Sequence, residues 1–286
     1  MKKKAVIILS ILALILLVVA FSAIVCAEDI KATEYEVPID GLTNSAKVVV
    51  ISDLHSREYG KNNEKLVELI AEQKPDAIFA DGDMISRDAS DEEVRKFADL
   101  LKKLLEIAPV YYSTGNHEVD YMDEHGEALL DMVAETGATV LYDNYVETEI
   151  AGNKIRVGGT SGHYRESNWD EQLDYAMQEE IGSTDVPSVV LMHMPENMVL
   201  DSARENWNAD LYISGHTHGG VVRLPFVGGI VAPTQGLFPE YDYGQYLVDA
   251  RLNLIITSGL SGYEWFPRIF NRPEICVITL TATSNG

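Results

Sequence analysis

The chain is short of cysteine, of cations and of histidine, and each shortage narrows what it can be. Two cysteines, Cys26 and Cys276, cannot staple a fold. Cys26 lies in a long apolar run and Cys276 in a late apolar strand pattern. Neither has a histidine or second cysteine beside it, so neither reads as a ligand or nucleophile, and Cys276 is expected to be a buried, inert thiol. Lysine and arginine number 22 against 45 aspartates and glutamates, a formal charge of -23. A sequence-independent grip on nucleic acid needs clustered cations, so no stable nucleic-acid partner is expected. The acidic balance attracts cations instead, divalent metals among them, although most of these carboxylates serve only to solvate the surface. There is no internal repeat and no low-complexity linker, and 286 residues with 46% apolar content suffice for a substantial core.

The N-terminus is set apart. Met1-Lys2-Lys3-Lys4 precedes an uncharged run from Ala5 to Ala27. A cleavable signal has an apolar core of about 7–15 residues, whereas a membrane span needs about 20, and this run is of spanning length. Three lysines before it favour the cytoplasm and place the remainder outside. Residues 1–27 therefore read as a single-pass anchor with an extracytoplasmic domain behind it. The alternative is a signal cleaved after Val25-Cys26-Ala27, which would leave a secreted domain. Cys26 is also a lipidation candidate, though Val25 is bulky for such a site.

Beyond Glu28, strand and helix patterns alternate. Val48 to Ile51, Ala77 to Ala80 and Pro109 to Tyr112 read as strands. Asn62 to Lys74 carries Leu66, Leu69 and Ile70 at helical spacing before Pro75. Ser90 with Glu93 forms a capping box for a helix whose Val94, Phe97, Ala98, Leu101, Leu104 and Leu105 share a face. A helix through Leu129, Met132 and Val133 stops at Gly137. Thr139 to Tyr142, Val146 to Ile150 and Lys154 to Val157 follow as short strands. A helix around Leu173, Ala176 and Met177 leads to strands at Ser188 to Met192 and Asp210 to Ser214. Residues 221–281 are rich in strands and turns. The pattern predicts one mixed α/β domain over residues 28–286.

Each apolar strand ends in metal-capable side chains. The clusters are Asp53-Leu54-His55, Asp81-Gly82-Asp83, Gly115-Asn116-His117-Glu118, Met192-His193 and Gly215-His216-Thr217-His218. In an α/β sheet the carboxyl ends of the strands are where sites form. Asp, Asn and His without thiolate suit Mn, Fe or Zn better than copper. On an extended segment Asp-x-His and His-x-His would each aim two side chains at one ion, and Gly82, Gly115 and Gly215 would allow sharp turns. Singly, Asp-x-His is a weak signal, Gly-Asn-His is a plausible turn, and a lone histidine such as His193 is more often structural. Five such clusters in order are hard to produce by chance, and too many donors are present for one four-coordinate ion.

Asp53-Leu54-His55, Gly82-Asp83, Gly115-Asn116-His117-Glu118, His193 and Gly215-His216-Thr217-His218 resemble the full motif set of the calcineurin-like metallophosphoesterase family. The order is the family's, and the resemblance covers about residues 46 to 281. "GHTHGGVVRLP" and "FPRIFNRPEICVITL" are similar to its membrane-associated bacterial phosphodiesterase branch, where Val221 is commonly Gln. The resemblance implies an αββα sandwich of two packed mixed β-sheets flanked by helices. It implies two divalent metal ions (Mn, Fe or Zn), one held by Asp53, His55 and His218, the other by Asn116, His193 and His216, with Asp83 bridging. It further implies hydrolysis of a phosphoester substrate by metal-activated hydroxide, with His117 as the general acid. Glu118 and Asp81 would orient ligands or hydrate the rim.

Weaker candidates surround this set. His125 reads as solvent-exposed. His163 lies in a loop within reach of the site mouth. Arg268 would contact phosphate or form a structural ion pair. Phe238, Tyr241, Tyr263, Trp265 and Phe266 would line a lipophilic pocket, touch the bilayer or, by default, pack in the core. The sequence thus describes a membrane-anchored two-metal phosphohydrolase, with phosphodiesters such as lipid headgroups or envelope sugar-phosphates preferred over monoesters. A tethered binding module without turnover and a nuclease are the alternatives. The complete ligand set argues against the first and the absent basic groove against the second.

Overall fold

The computed structural model describes residues 2–162, 176–199, 207–262 and 266–283. Strands β2 (Ala46–Ile51), β3 (Ala77–Asp81) and β4 (Val110–Ser113) are apolar runs buried along nearly their whole length. Such runs belong in the interior of a parallel sheet covered on both faces. They run parallel to one another and to β5 (Thr139–Leu141). On the other side, β16 (Glu274–Ala282) pairs antiparallel with β2 and parallel with β1 (Lys31–Ile39), which forms the edge. β1 escapes the sequence reading because its Glu34, Glu36 and Pro38 face solvent, as suits an edge strand.

The second sheet has the order β14 (Gly244–Val248), β15 (Leu252–Ile256), β9 (Leu211–Ser214), β8 (Ser188–Leu191), β7 (Asn153–Gly159) and β6 (Asn144–Ile150). Its four inner strands are parallel, and β6 and β14 close the edges as antiparallel hairpins. Two hairpins of two-residue strands lie outside both sheets: β10 (Arg223–Leu224) with β11 (Gly228–Gly229), and β12 (Val231–Ala232) with β13 (Gly236–Leu237).

Because side chains alternate across a strand, β2 feeds two layers at once. Val48 and Val50 join Phe79, Ile278, Val157, Leu191 and Ile213 in the core between the sheets. Val49 and Ile51 point the other way, under α2 (Glu64–Gln73), α3 (Asp91–Leu105) and α5 (Ala128–Glu135), which contribute Leu66, Ile70, Phe97, Leu101 and Val133. The outer face of the second sheet is covered by α6 (Ala176–Ile181), α7 (Glu196–Val199) and Trp207, against Val190, Tyr212, Leu254 and Ile256. The result is the αββα sandwich that the resemblance implied.

The capping box at Ser90 forms as its spacing predicts. One helix is missed by the sequence reading: Gly115-Asn116-His117-Glu118, read as the end of a strand, opens α4 (Asn116–His125). The Gly115 N–H donates to Glu118 Oε2 at 2.8 Å, so the motif itself caps this helix. At the N-terminus, α1 (Lys2–Glu28) is long and apolar enough to cross a membrane. Only its last two turns touch the domain, through buried Ser22 and Cys26. The Phe270 N–H donates to Ser22 Oγ at 2.6 Å, and the Arg57 guanidinium donates to the Ala27 carbonyl.

Phe79 is fully buried between the sheets. Phe79→Ala is expected to destabilise the chain by about 3–5 kcal/mol, read as a lowered urea midpoint of the detergent-solubilised protein.

Candidate metal centre

Both sheets deliver ligands to one edge. Asp53 and Asp83 lie two residues past the ends of β2 and β3, and Asn116 three past β4. His193 and His216 lie two past β8 and β9. The backbone there is not extended, as the Asp-x-His and His-x-His readings required. Asp53, His55, Asp83, His216 and His218 have φ of 53°, 47°, 52°, 64° and 49°, in the left-handed region. Such conformations cost about 1–3 kcal/mol each and persist where surrounding contacts over-determine them. Here the N–H groups of Asp53 and His55 donate to the carbonyls of Gly82 and Asp83 at 3.1 and 2.9 Å. The Ser261 N–H donates to the Asp53 carbonyl at 2.7 Å from the other side.

The loops bring two triads together. Asp53, His55 and His218 offer one ligand atom each, all within 4.8 Å of one another, and Asp83, His193 and His216 do the same. His216 and His218 thus face different triads, because Thr217 between them is helical rather than extended, contrary to the one-ion reading of His-x-His. Asp83 stands between the triads, its Oδ2 lying 3.2 Å from His193 Nε2 and 3.7 Å from His55 Nε2. His117 joins a further grouping with His55 and Asp83, its Nε2 4.0 Å from Asp83 Oδ2.

The donor set fits metal ions. Among the described residues, His55 Nε2, His216 Nε2 and Asn116 Oδ1 are buried without a hydrogen-bond partner, a costly state unless a cation binds there. Carbonyls orient two rings: His193 Nδ1 donates to Asp81 O at 2.8 Å and His218 Nδ1 to Ser261 O at 3.0 Å, which turns each Nε2 toward the site carboxylates. Burial pushes His55 and His218 down to about 3 and His216 well below its ordinary range, so all three are neutral at pH 7. His193 is the exception. Burial lowers it too, but the charges of Asp83, Asp53 and Asp81 outweigh this and raise it well above the ordinary value. Asp83 is correspondingly held well below the usual carboxylate range, with His193 prevailing over burial.

Glu118 fixes the loop that carries Asp83. Buried itself, it accepts from the N–H groups of Asp83, Met84 and Gly115 at 2.7, 2.6 and 2.8 Å. Burial lifts its carboxyl to about 7, with the Asp83 charge adding to the shift. Asp81 departs from expectation. It is fully buried and cannot hydrate the rim, and its carbonyl, rather than its carboxylate, positions His193. The glycines differ as well. Gly82 has φ +70°, but Gly115 and Gly215 have no positive φ and are needed for close approach. A Cβ at Gly115 would lie 2.3 Å from Asp83 Oδ1, and one at Gly215 would lie 2.5 Å from Asp53 Oδ2. Ser52, absent from the sequence candidates, donates to Asp53 Oδ2 at 2.8 Å; its place directly before Asp53 was the available signal.

A cavity of about 650 Å³ opens over the triads. Its floor is His55, Asp83, Asn116, His216 and His218, and its walls include His117, Arg57, Arg87 and Arg268. Arg268 is buried and donates through Nε and Nη2 to the carbonyls of Ser258, Gly259 and Ser261, while Nη1 has no partner among the described residues. The expected ion pair is not formed among the described residues. His125 is exposed and stacks on Tyr121. Tyr241 packs against the outer core of the second sheet, whereas Phe238 and Phe266 are exposed, against the default of core packing. His163, Tyr263 and Trp265 lie outside the described residues.

Two outcomes follow from this geometry. His193 of the metal-free protein carries a proton that a cation must displace, so metal loading at pH 7 releases protons, measurable with an indicator dye in weak buffer. His193→Ala is expected to release about one fewer. Gly115→Ala is expected to push Asp83 aside and lower the bound metal measured by elemental analysis, while circular dichroism keeps the folded signature.

Comparison with known proteins gives the family. Residues 46–220 match the family model described as calcineurin-like phosphoesterase. The chain is 28% identical over 236 residues to phosphodiesterase YaeI of Escherichia coli, covering 82% of each. It is 28% identical over 245 residues to the uncharacterized metallophosphoesterase YkuE of Bacillus subtilis, covering 83% of this chain and 80% of that one. Among solved structures, TT1561 of Thermus thermophilus aligns with a TM-score of 0.46 at 15% identity, covering 76% of this chain and 92% of that one. The chain therefore belongs to the calcineurin-like phosphoesterase family and is a dinuclear-metal phosphoester hydrolase.

Proposed function

We propose that the protein is a membrane-anchored phosphodiesterase, with residues 1–27 as the anchor and 28–286 as an extracytoplasmic hydrolase domain. The observation that carries this reading is the pair of triads joined through Asp83 on the floor of a cavity walled by His117 and three arginines. Asp53, His55 and His218 are assigned to one divalent ion and Asn116, His193 and His216 to the other, with Asp83 shared. Two such ions, Mn, Fe or Zn, lower the pKa of a bound water and clamp phosphate oxygens.

The chain's own groups supply the rest. His117 Nδ1 accepts from the Arg87 backbone N–H at 3.2 Å, which places the ring proton on Nε2, facing the site. The Arg87 guanidinium also lies 3.3 Å from Nε2, but a neutral imidazole accepts at one nitrogen only, and the backbone N–H is the fixed partner. An Nε2–H offers a proton rather than a lone pair, so His117 is the donor to the leaving oxygen. Arg268 Nη1, unpaired on the cavity wall, is assigned to a phosphate oxygen. Preference for diesters is supported by the name of the Escherichia coli relative. An anchor limits the substrate to what reaches the membrane surface, a lipid headgroup or an envelope sugar-phosphate.

The test is hydrolysis of bis-p-nitrophenyl phosphate and p-nitrophenyl phosphate by the detergent-solubilised chain, stripped of metal and reloaded with Mn. Diester cleavage is expected to need metal and to vanish in Asp83→Ala. His117→Ala is expected to lose about 10²–10⁴-fold in kcat on an alkyl diester. The loss should be far smaller on the nitrophenyl ester, whose leaving oxygen needs no proton. Metal binding without turnover of either ester would sink the reading.

A further inference from the structure

The anchor helix is itself part of the cavity wall. Ala23, Cys26 and Ala27 line the cavity beside Phe266 and Pro267. With Ser22 they form one face of α1, since residues three and four apart are neighbours on a helix. That face is small and pressed on the domain, while bulky Phe21 and Ile24 point away, exposed.

The length of the helix sets a level. At 1.5 Å per residue, about 20 residues cross the ~30 Å hydrocarbon layer. Counted from Ala5, after the lysines, that span reaches Ile24. α1 therefore leaves the hydrocarbon within its last two turns, the part that walls the cavity. The Phe270 N–H donates to Ser22 Oγ, so Phe270 stands level with a residue still inside the span.

Phe270 is itself exposed, as are apolar side chains on the hairpins linked to its segment. Phe226 is fully exposed, Leu237 is 70% and Phe238 64% exposed, and Val227 and Phe266 are exposed as well. These residues belong to one connected layer. Val222 bridges Ile269, and the Ile230 and Phe238 N–H groups donate to the carbonyls of Val222 and Ile230, both at 2.9 Å. The layer continues the docked end of α1 and ends at the cavity, with Phe266 common to both. An apolar patch so placed marks a membrane interaction site.

Building on the hydrolase reading above, we propose that the β10–β13 hairpin face seats in the leaflet that α1 enters, and that the cavity opens along the lipid surface. The substrate is then a phospholipid whose acyl chains stay in the bilayer while its headgroup phosphodiester enters the cavity, not a water-soluble sugar-phosphate. Water's oxygen bonds to phosphorus and the P–O bond to one alcohol breaks. The leaving oxygen takes the proton from His117, and one of water's protons restores the imidazole. A phosphomonoester and an alcohol result, one of them still held in the membrane, with no change of oxidation state.

The test uses the full chain, metal-loaded, in phosphatidylcholine vesicles carrying phosphatidylglycerol, phosphatidylethanolamine or cardiolipin. In a variant combining Phe226→Ser, Leu237→Ser and Phe238→Ser, bis-p-nitrophenyl phosphate turnover should stay within about twofold of wild type. Cleavage of the vesicle lipid should fall at least about tenfold, as binding that depends on buried apolar area requires. Independently of turnover, Phe226→Trp should give fluorescence quenched by brominated lipid beyond the wild-type level. Equal effects of the triple variant on both substrates would overturn the proposal. So would a wild type that cleaves the soluble diester but none of the three lipids. An unquenched Trp at position 226, with a dimer that the serine variant dissolves, would assign the face to a second copy of the chain. Absence of turnover on any diester would instead overturn the hydrolase reading and the substrate class with it, leaving the quenching to decide the seating alone.

Discussion

A single carboxylate, Asp83, organises the centre. It is drawn to histidines on both sides, and its attraction to His193 outweighs the cost of its own burial. Nothing about an aspartate two residues beyond a strand guarantees that position. The Glu118 carboxylate draws in the Asp83 N–H, and the bare backbone of Gly115 lets Asp83 Oδ1 approach where a Cβ would collide. The His117 N–H then donates to that same Oδ1 at 2.8 Å, which ties the start of α4 to the bridge. The candidate bridging carboxylate, the cap of α4 and the proposed proton donor are thus coupled through one loop contact. A change at any of the three disturbs the others, the behaviour expected of a network in a low-dielectric interior.

The fold was legible where residue periodicity reports burial. β2, β3 and β4 are buried on both faces and read as uninterrupted apolar runs, and the Ser90 capping box marks α3. β1 was illegible because an edge strand is half solvent, and α4 because its first turn is spent on Gly115, Asn116, His117 and Glu118 rather than on apolar spacing. The candidate residues were legible as types at strand ends. Their backbone was not. An extended His-x-His was the natural inference from alternation along a strand, whereas the chain turns left-handed at both histidines and sends them to different triads. Sequence alternation describes strands, and the ligands stand just past them. Asp81 shows the same limit from the other side, since an aspartate beside a glycine looks like a rim residue yet lies fully buried.

Charge is distributed unevenly. A chain of formal charge -23 sets Arg57, Arg87 and Arg268 around one cavity. Arg268 holds its place through main-chain carbonyls and has no carboxylate partner among the described residues. Asp83 and Asp88 share the same lining and Arg87 pairs with Asp120 at 3.3 Å, so the cavity mixes both signs of charge within an acidic chain.

The position of β16 has a consequence for biogenesis. This strand comes late in the sequence, yet it lies between β1 and β2, pairing Lys31 with Glu274 and Val48 with Ile278. The first sheet therefore stays split until residues 274–282 have emerged, whatever the helices have done beforehand. Such long-range pairing is slow to form, because loop closure is opposed by entropy before any contact rewards it. During that interval β1 and β2 each expose an unpaired edge. The same late segment carries Phe270, the partner of Ser22, so docking of α1 is also among the last events. A chain interrupted before this point would have all seven candidate ligands but neither a closed first sheet nor a docked helix beside the cavity. Closure of the first sheet and docking of the helix beside the cavity therefore both wait on this one late segment.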